Sequence, residues 1–351
     1  MNFFCYAFYK AKSGYLLFSL SLFLGLLSAD ACTADNATLV TEQRQLLHTF
    51  VEIKAYGDNA GAAIAAAFDE MERVNRLLNN YDNSSEISAI SRNAGGSAVN
   101  ISHETVEALH AALKFSSLSG GALDITVGPL LRLWGFAQEI PSMKGAGPHA
   151  QEIKKTRELV DYRSLEVQQA VSGGAGTARL VKKGMWIDTG SFSKGYCADR
   201  AIAILKKQGI RSALVAAGGT ICAIGRKADG SSWKVAVRHP RKEDDFMTFV
   251  PLCDASISTS GDYERFYKKN GKRKGHIIDP RTGNPVERMQ SVSVIAATGL
   301  ESDLLSTTLF VLGPEKGMRL IDRLPGTSAL LITHDGSISM SESWPEKVVL
   351  Y

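Results

Sequence analysis

The order of helical and extended segments constrains the fold of this chain more than any other feature. Apolar residues recur at helical spacing in residues 60–80 and 103–118, whereas residues 48–57 alternate as a strand does. The sequence further predicts strands at residues 185–188, 212–218, 233–239 and 291–297, helices at residues 197–209, 301–313 and 314–324, and a hairpin at residues 327–342. Because these elements follow no strict βαβ repeat, we expect an α+β fold with helices flanking a mixed sheet.

The first 31 residues have the layout of a secretory signal. Two lysines precede an apolar run at residues 15–27, and an A-x-A-like cleavage site follows at residues 29–31. The apolar run is too short to span a bilayer comfortably as a helix. We therefore expect a signal peptide at residues 1–31 and one domain at residues 32–351, outside the cytoplasm. A short membrane anchor that stays attached is the alternative.

Cys32 directly follows the predicted cleavage site. A cysteine in this place is typical of a bacterial lipoprotein that is lipidated after cleavage, although Asp30 is unusual just before such a site. Two alternatives therefore stand. Either the mature protein has a lipid anchor at Cys32 and sits on the inner membrane, or it is a soluble periplasmic protein.

The charge balance gives no support for a nucleic-acid partner. The formal net charge is only +4, and no basic stripe is interleaved with aromatic residues. The basic run at residues 268–275 is expected to be a solvated hairpin tip.

Three cysteines lie beyond Cys32, at wide spacing: Cys197, Cys222 and Cys253. Their number and spacing fit neither a disulfide framework nor a zinc site. One bridge is allowed, and three buried thiols are the alternative that we favour.

Four loops combine glycine with polar residues, at residues 119–136, 187–196, 215–225 and 275–285. Glycine permits positive φ and proline fixes φ, so loops rich in these residues hold a defined shape. None of the four matches a Walker or G-x-G-x-x-G sequence.

Two of these loops carry charged side chains. Lys194 lies at a predicted strand-to-helix turn, where a helix N-terminus and a lysine would form an anion site; an exposed helix lysine is the alternative. The last loop holds His276, Asp279 and Arg281. We expect Asp279 and Arg281 to form a salt bridge that fixes this loop.

Asp303 and Thr307 are four residues apart on a predicted helix, so both side chains point from one face. A carboxylate and a hydroxyl are hard oxygen ligands of the kind that suit Mg²⁺, which takes few protein ligands and keeps waters or substrate phosphates. The alternative is local: Asp303 would favour the helix dipole, and Thr307 would bond to its own helix.

Six sequence blocks, in this order, resemble the FAD:protein FMN transferases, the ApbE-like flavin transferase family. The resemblance spans about residues 45–313 and beyond. The blocks are NNYDNSSEISAISRN (79–93), GGALDITVGPLLRLWGF (120–136), IDTGSFSKGYCADR (187–200), LVAAGGTICAIG (214–225), STSGDYERF (258–266) with GHIIDPRTGNPV (275–286), and SDLLSTTLFVLG (302–313).

The resemblance implies both an activity and a metal. Enzymes of this family cut the pyrophosphate of FAD, attach FMN to a threonine hydroxyl of a target protein through a phosphoester bond, and release AMP. They require Mg²⁺. The match to the family implies that Asp303, Thr307 and the backbone carbonyl of Ser191 hold this metal ion. It also implies that His276 is catalytic and activates the acceptor hydroxyl, a role that suits an imidazole because its ordinary pKa is near neutrality.

The same match implies the FAD contacts. Tyr81 falls where an aromatic ring packs on the flavin or the adenine. The remaining positions that match FAD contacts are Leu47, Ala122, Leu123, Asp124, Asp188, Lys194 and Ile278.

This sequence departs from the family's pattern in three places. His48 stands where the family has the glycine of Met-Gly-Thr, which puts close backbone approach to FAD in doubt. Phe192 is bulkier than usual in the turn after Asp188. Thr220 replaces a common acidic residue.

Two other functions stay open beside the transferase. The same site would serve an Mg²⁺-dependent FAD pyrophosphatase that gives FMN and AMP, or the chain would be a non-catalytic flavin-binding lipoprotein. For a transferase, the family leads us to expect acceptor proteins among subunits of membrane redox pumps and extracytoplasmic electron carriers.

Overall fold

The computed structural model describes residues 38–137, 147–170, 173–242, 244–269 and 272–345. The predicted signal peptide and Cys32 lie outside these ranges. Within them, no helix combines the length and the apolar character that crossing a membrane requires.

The secondary structure alternates irregularly between helices and strands. The helices are α1 (Ala60–Leu78), α2 (Glu86–Arg92), α3 (His103–Leu118), α4 (Gly128–Leu133), α5 (Ala150–Arg157), α6 (Ser193–Lys207), α7 (Gly299–Leu312) and α8 (Pro314–Ile321). The strands are β1 (Leu39–Leu46), β2 (Thr49–Tyr56), β3 (Val99–Ile101), β4 (Leu165–Gln169), β5 (Gly176–Leu180), β6 (Ser212–Ala217), β7 (Thr220–Ile224), β8 (Trp233–Arg238), β9 (Phe246–Leu252), β10 (Ala255–Gly261), β11 (Phe266–Lys269), β12 (Lys272–Gly275), β13 (Ile278–Asp279), β14 (Asn284–Pro285), β15 (Met289–Ala296), β16 (Ser328–Thr333) and β17 (Ile338–Met340).

One large sheet forms the centre of the fold. Its strand order is β1-β2-β6-β7-β10-β15-β16-β17, and each neighbouring pair is antiparallel. The predicted α+β class is confirmed, although this sheet is antiparallel rather than mixed. Antiparallel neighbours need no crossover helix between them, which explains why the sequence shows no βαβ repeat.

The two faces of the sheet are covered differently. Val215 on β6 packs into the large core with α1, α6 and α7, whereas its neighbour Leu214 packs into a second cluster with the β8–β9 hairpin. Successive strand residues point to opposite faces, so the helices lie on one side of the sheet and the hairpin on the other. A smaller cluster joins α4 and α5 to Ile278 on β13.

Most predicted elements are present with shifted ends, and one is wrong. Residues 185–188 form no strand; Trp186 makes only an isolated parallel bridge to Val127. The following helix begins at Ser193 rather than at residue 197. Lys268 and Lys269 of the basic run lie on β11 and Lys272–Gly275 lie on β12, and these two strands pair antiparallel; the predicted tip at residues 270 and 271 lies outside the described residues.

The three predicted thiols are free. Cys197 and Cys222 are buried, while Cys253 is partly exposed. No bridge joins them, so the disulfide alternative is wrong for these residues, and the expectation of three buried thiols is wrong for Cys253.

Candidate active site

A cavity of about 360 Å³ opens beside the large sheet, where α6, α7 and several strand ends meet. It is lined by all twelve residues predicted from the sequence to contact FAD, hold the metal ion or act in catalysis. They are Leu47, Tyr81, Ala122, Leu123, Asp124, Asp188, Ser191, Lys194, His276, Ile278, Asp303 and Thr307. Residues up to 260 positions apart in sequence therefore line one cavity.

The turn before α6 brings a carboxylate and an ammonium to this cavity. Asp188 accepts hydrogen bonds from the Gly190 N–H at 3.0 Å and from Asn80 Nδ2 at 3.2 Å. Lys194 Nζ donates to the Gly190 carbonyl at 3.2 Å. Burial raises the pKa of Asp188, and the Gly190 N–H together with the positive charges of Arg265 and Lys194 opposes that rise. Hydrogen bonds thus hold this turn, which presents an acidic and a basic side chain to the cavity.

Asp303 and Thr307 both face the cavity from α7, as their spacing predicted. Asp303 Oδ2 accepts from the Gly195 N–H at 3.0 Å, and Ser258 Oγ donates to Asp303 Oδ1 at 3.3 Å. Thr307 Oγ1 lies 3.1 Å from Ser260 Oγ. Burial raises the pKa of Asp303, against the opposing charge of Lys194.

The donor chemistry at Asp303 and Thr307 fits a hard divalent cation. The described residues contain no group of three or more His, Cys, Asp or Glu side chains that could hold a metal ion. One carboxylate with hydroxyl and carbonyl oxygens fits Mg²⁺ better than zinc or Ca²⁺, because Mg²⁺ uses few protein ligands and retains water or phosphate oxygens. A cation would also favour ionisation of the buried Asp303 carboxyl.

His276 is held by the backbone of Arg265. Its Nδ1 lies 3.2 Å from the Arg265 carbonyl oxygen, which also accepts from the His276 N–H at 3.0 Å. A carbonyl only accepts, so we assign the proton to Nδ1 and the lone pair to Nε2. Burial, with the charges of Arg265 and Lys194, lowers the pKa of His276 to about 3. The ring is therefore neutral at pH 7.

Arg265 is a cavity residue that was not predicted from the sequence. Its guanidinium donates to Tyr81 Oη at 3.1 Å and to the Phe136 carbonyl at 2.7 Å. Arg265 thus fixes the Tyr81 ring with its side chain and His276 with its carbonyl. The available signal was its place in the block STSGDYERF, but nothing local in that block indicates the contact with Tyr81, 184 residues away.

The turn between β1 and β2 keeps a left-handed backbone without glycine. Leu47 has φ 57° and His48 has φ 56°, the geometry of a two-residue hairpin turn in which both central residues have positive φ. The His48 ring lies edge-on to Tyr81, with 5.3 Å between ring centroids. Leu47 and His48 thus adopt the left-handed backbone without glycine, at a cost of about 1–3 kcal/mol for each strained residue.

The carboxyl group of Asp124 is held by its own loop and by the distant residue Tyr162. It accepts from the Thr126 N–H at 2.8 Å, from the Thr126 hydroxyl at 2.6 Å and from the Tyr162 N–H at 2.9 Å. Burial raises its pKa, and these donors oppose the rise. Asp124 lines the cavity, and its carboxyl group holds the loop that presents Ala122 and Leu123; an FAD contact of Asp124 stays a prediction.

The loop at residues 275–285 is fixed in the way the sequence predicted. Arg281 donates to both carboxylate oxygens of Asp279, at 2.9 and 2.8 Å. Trp134 Nε1 donates to the Gly283 carbonyl at 2.7 Å. These bonds hold the loop so that His276 and Ile278 face the cavity.

Comparison with known proteins agrees with this architecture. A model of the ApbE family matches residues 47–331, well over half of the chain. The chain belongs to the ApbE family. The structure of the ApbE protein from Thermotoga maritima superposes with a TM-score of 0.79 at 29% identity, covering 88% of this chain and all of that one. The flavin transferase ApbE of Vibrio cholerae gives a TM-score of 0.76 at 27% identity, covering 88% of this chain and 98% of that one.

Other ApbE-family relatives are similar over most of their length. The FAD:protein FMN transferase of Treponema pallidum (strain Nichols) is 31% identical over 318 residues, which are 86% of this chain and 87% of the relative. The Salmonella typhimurium protein of the same name is 33% identical over 264 residues, which are 74% of this chain and 73% of the relative. The ApbE-like fold predicted from the six blocks is confirmed.

Proposed function

We propose that this ApbE-family protein is an Mg²⁺-dependent FAD:protein FMN transferase that acts at the described cavity. The observation that carries the proposal is the convergence of Lys194, His276, Asp303 and Thr307 on one space. The relatives named FAD:protein FMN transferase support FAD as the substrate and a protein as the acceptor. Tyr81, Ala122, Leu123 and Ile278 supply aromatic and apolar wall for a flavin or an adenine.

The proposed reaction transfers the FMN phosphoryl group of FAD to the acceptor protein. A threonine hydroxyl of the acceptor attacks the phosphorus on the FMN side of the pyrophosphate, a new P–O bond forms, and the P–O bond to the AMP phosphate breaks. AMP leaves with that electron pair. The hydroxyl proton passes to Nε2 of His276, which carries the ring's lone pair because Nδ1 contacts the Arg265 carbonyl.

Charge neutralisation is the main demand of such a transfer. Asp303, Thr307 and the Ser191 carbonyl would hold the Mg²⁺ ion, which when bound neutralises charge on the pyrophosphate and on the leaving AMP. The Lys194 ammonium adds a fixed positive charge, because its contact with the Gly190 carbonyl holds it at the turn beside α6. Arg265 holds the Tyr81 ring in place at the same cavity.

The proposal is tested by replacing Asp303 with alanine. The protein is incubated with FAD and Mg²⁺, with and without EDTA, and AMP is quantified by chromatography. Asp303→Ala should lower EDTA-sensitive AMP formation about 100-fold or more, since several kcal/mol of charge stabilisation depend on the metal. Glu301→Ala is the matched control, because Glu301 lies on the same helix but does not line the cavity.

The outcomes separate the candidate functions. AMP that appears only with an acceptor protein, together with covalent FMN on that protein, supports the transferase. AMP and free FMN without an acceptor favour the FAD pyrophosphatase. FAD binding without any AMP favours a flavin carrier, and undiminished turnover in Asp303→Ala contradicts the proposed metal site.

The proposed place of action is outside the cytoplasm, with a lipid anchor at Cys32 as one of two arrangements. This rests on the signal-like pattern of residues 1–31 alone. Acceptors in membrane redox pumps or extracytoplasmic electron carriers would meet the enzyme there. Mass spectrometry of the mature N-terminus decides the point: a diacylglyceryl group on Cys32 supports the anchor, and an unmodified Cys32 excludes it.

A further inference from the structure

The two helices α6 and α7 meet at the cavity, and a carboxyl group of each accepts hydrogen bonds from the N-terminal N–H groups of the other. Asp303 on α7 accepts the N–H of Gly195 in the first turn of α6, at 3.0 Å. In the opposite direction, Asp199 on α6 accepts the N–H of Gly299 at 2.6 Å and that of Leu300 at 2.8 Å, in the first turn of α7. A carboxyl group from each helix thus satisfies free N–H groups of the other, at N-termini where the helix dipoles favour the ionised form.

The exchange takes place where the two backbones touch. A Cβ atom added to Gly195 would lie 2.1 Å from the Gly299 carbonyl oxygen and 2.9 Å from Asp303 Cβ. A Cβ atom added to Gly299 would lie 2.6 Å from the Gly195 carbonyl oxygen. The two backbones are in close contact at this crossing, and the hydrogen bonds of Asp199 and Asp303 fix the position of α7 relative to α6.

We infer that Asp199 is a positioning residue for the proposed Mg²⁺ site. The inference rests on the proposed function, in which Ser191 before α6 and Asp303 and Thr307 on α7 hold the ion. Asp199 does not line the cavity. It acts through α7, by holding the N-terminus of that helix against α6 so that oxygens from two separate segments converge.

The geometry of Mg²⁺ makes such positioning consequential. Mg²⁺ demands near-ideal octahedral oxygens at about 2.0–2.1 Å, and metal sites tolerate deviations of only about 0.2 Å. A shift of α7 against α6 by a few tenths of an ångström would separate Asp303 and Thr307 from the Ser191 carbonyl. Outer groups that orient ligands in this way are typically worth about 10–100-fold in metal affinity.

Asp199 is well suited to substitution. Burial, together with the neighbouring negative charge of Asp303, raises the pKa of Asp199 to about 6, while the Gly299 and Leu300 N–H groups and the Cys222 thiol favour the carboxylate. An asparagine side chain has nearly the same shape as aspartate and is uncharged. Its single carbonyl oxygen can accept one of the two N–H groups well, so α7 is held less firmly while the core remains filled.

The experiment measures metal binding directly. Mn²⁺, which suits the same oxygen ligands, is titrated into the full chain and followed by EPR, for the wild type, Asp199→Asn and Asp303→Ala. Asp199→Asn should raise the Mn²⁺ Kd about 10–100-fold. In AMP release, the Mg²⁺ concentration for half-maximal rate should rise by the same factor, while the KM for FAD stays within about twofold.

Glu86→Gln provides a matched control. The Glu86 carboxylate accepts from the N–H of Ser102, at 3.0 Å, and from its hydroxyl, at the N-terminus of α3, a helix that carries none of the proposed metal ligands. The substitution removes the same kind of contact in another place. We expect a lower melting temperature and an unchanged Mn²⁺ Kd.

The possible failures are distinguishable. If the wild type does not bind Mn²⁺, or Asp303→Ala binds it normally, the proposed metal site is wrong and the role of Asp199 falls with it. If Asp303→Ala loses Mn²⁺ but Asp199→Asn keeps the wild-type Kd, the proposed metal site stands and the positioning role of Asp199 is refuted. Should Asp199→Asn not fold, Asp199→Ser is measured in its place, with the same expectation.

Discussion

Replacing Gly195 with alanine should separate the two helices that carry the proposed metal ligands. The added Cβ would lie 2.1 Å from the Gly299 carbonyl oxygen, a backbone atom that cannot rotate away. Ordinary contact begins near 3.4 Å, so α6 and α7 must part by about 1 Å. That distance exceeds by several-fold the roughly 0.2 Å that a metal site tolerates.

The effect on stability should be much smaller than the effect on the metal. Overpacking of this kind costs about 1–3 kcal/mol, and removing a helical glycine returns about 0.5–1 kcal/mol. With an unfolding entropy of about 2.1 cal/mol/K per residue over about 300 residues, the melting temperature should fall by at most about 4 °C. Gly195→Ala should therefore fold and yet bind Mn²⁺ at least about 100-fold more weakly.

The assay pairs thermal unfolding with Mn²⁺ titration. Gly61→Ala is the control, because Gly61 also lies in the first turn of a helix and a Cβ there meets nothing within 4 Å. It should leave the Mn²⁺ Kd unchanged and raise stability slightly. A Gly195→Ala protein with normal Mn²⁺ affinity would refute the argument that this crossing sets the geometry of the site.

Two further substitutions probe the cavity. His276→Gln should keep FAD binding but slow transfer about 10²–10⁴-fold, the usual contribution of a general base. The pKa of His276 is about 3 in the folded protein and near 6.5 in the unfolded chain, so the unfolded chain binds a proton first as the pH falls, and the free energy of unfolding decreases from pH 6.5 toward pH 3. Urea unfolding should show that the wild type loses about 1.4 kcal/mol more than His276→Gln between pH 7.5 and 5.5. An equal loss in both proteins would contradict the neutral, buried ring. Asp124→Asn should lower the free energy of unfolding by about 1–3 kcal/mol, because a buried carboxylate that accepts three hydrogen bonds is replaced, with the FAD Kd changed less than twofold. A tenfold weaker FAD Kd at unchanged stability would instead make Asp124 a direct FAD contact.

Features that depend on near neighbours in the chain could be predicted from the sequence. The i, i+4 spacing of Asp303 and Thr307 places both on one face of α7, whatever the rest of the fold does. Asp279 and Arg281 are two residues apart, and their ion pair was expected. The helix at His103–Leu118 was predicted, since apolar residues at helical spacing lie within a few residues of one another.

Features that depend on distant partners were missed or misread. Residues 185–188 have the composition of a strand, but a strand also needs a neighbouring strand to pair with. In the described residues, this segment makes only the isolated bridge between Trp186 and Val127. The direction of the Asp124 carboxylate depends on the Tyr162 N–H, 38 residues away. The left-handed backbone at His48 was not expected, because glycine usually occupies such a position. The surrounding hairpin and sheet offset its strain, and neither is visible in the local sequence.

The sequence by itself determined the types of the elements, the loops with unusual backbone freedom, and the chemical groups available for a phosphoryl transfer. Only the tertiary structure decided which of those groups meet. The contacts of Asp199 with Gly299, and of Arg265 with Tyr81, join residues 100 and 184 positions apart. Such contacts form because burying the apolar faces of α6, α7 and the sheet stabilises one packing arrangement, and that arrangement sets the distances on which binding and catalysis depend.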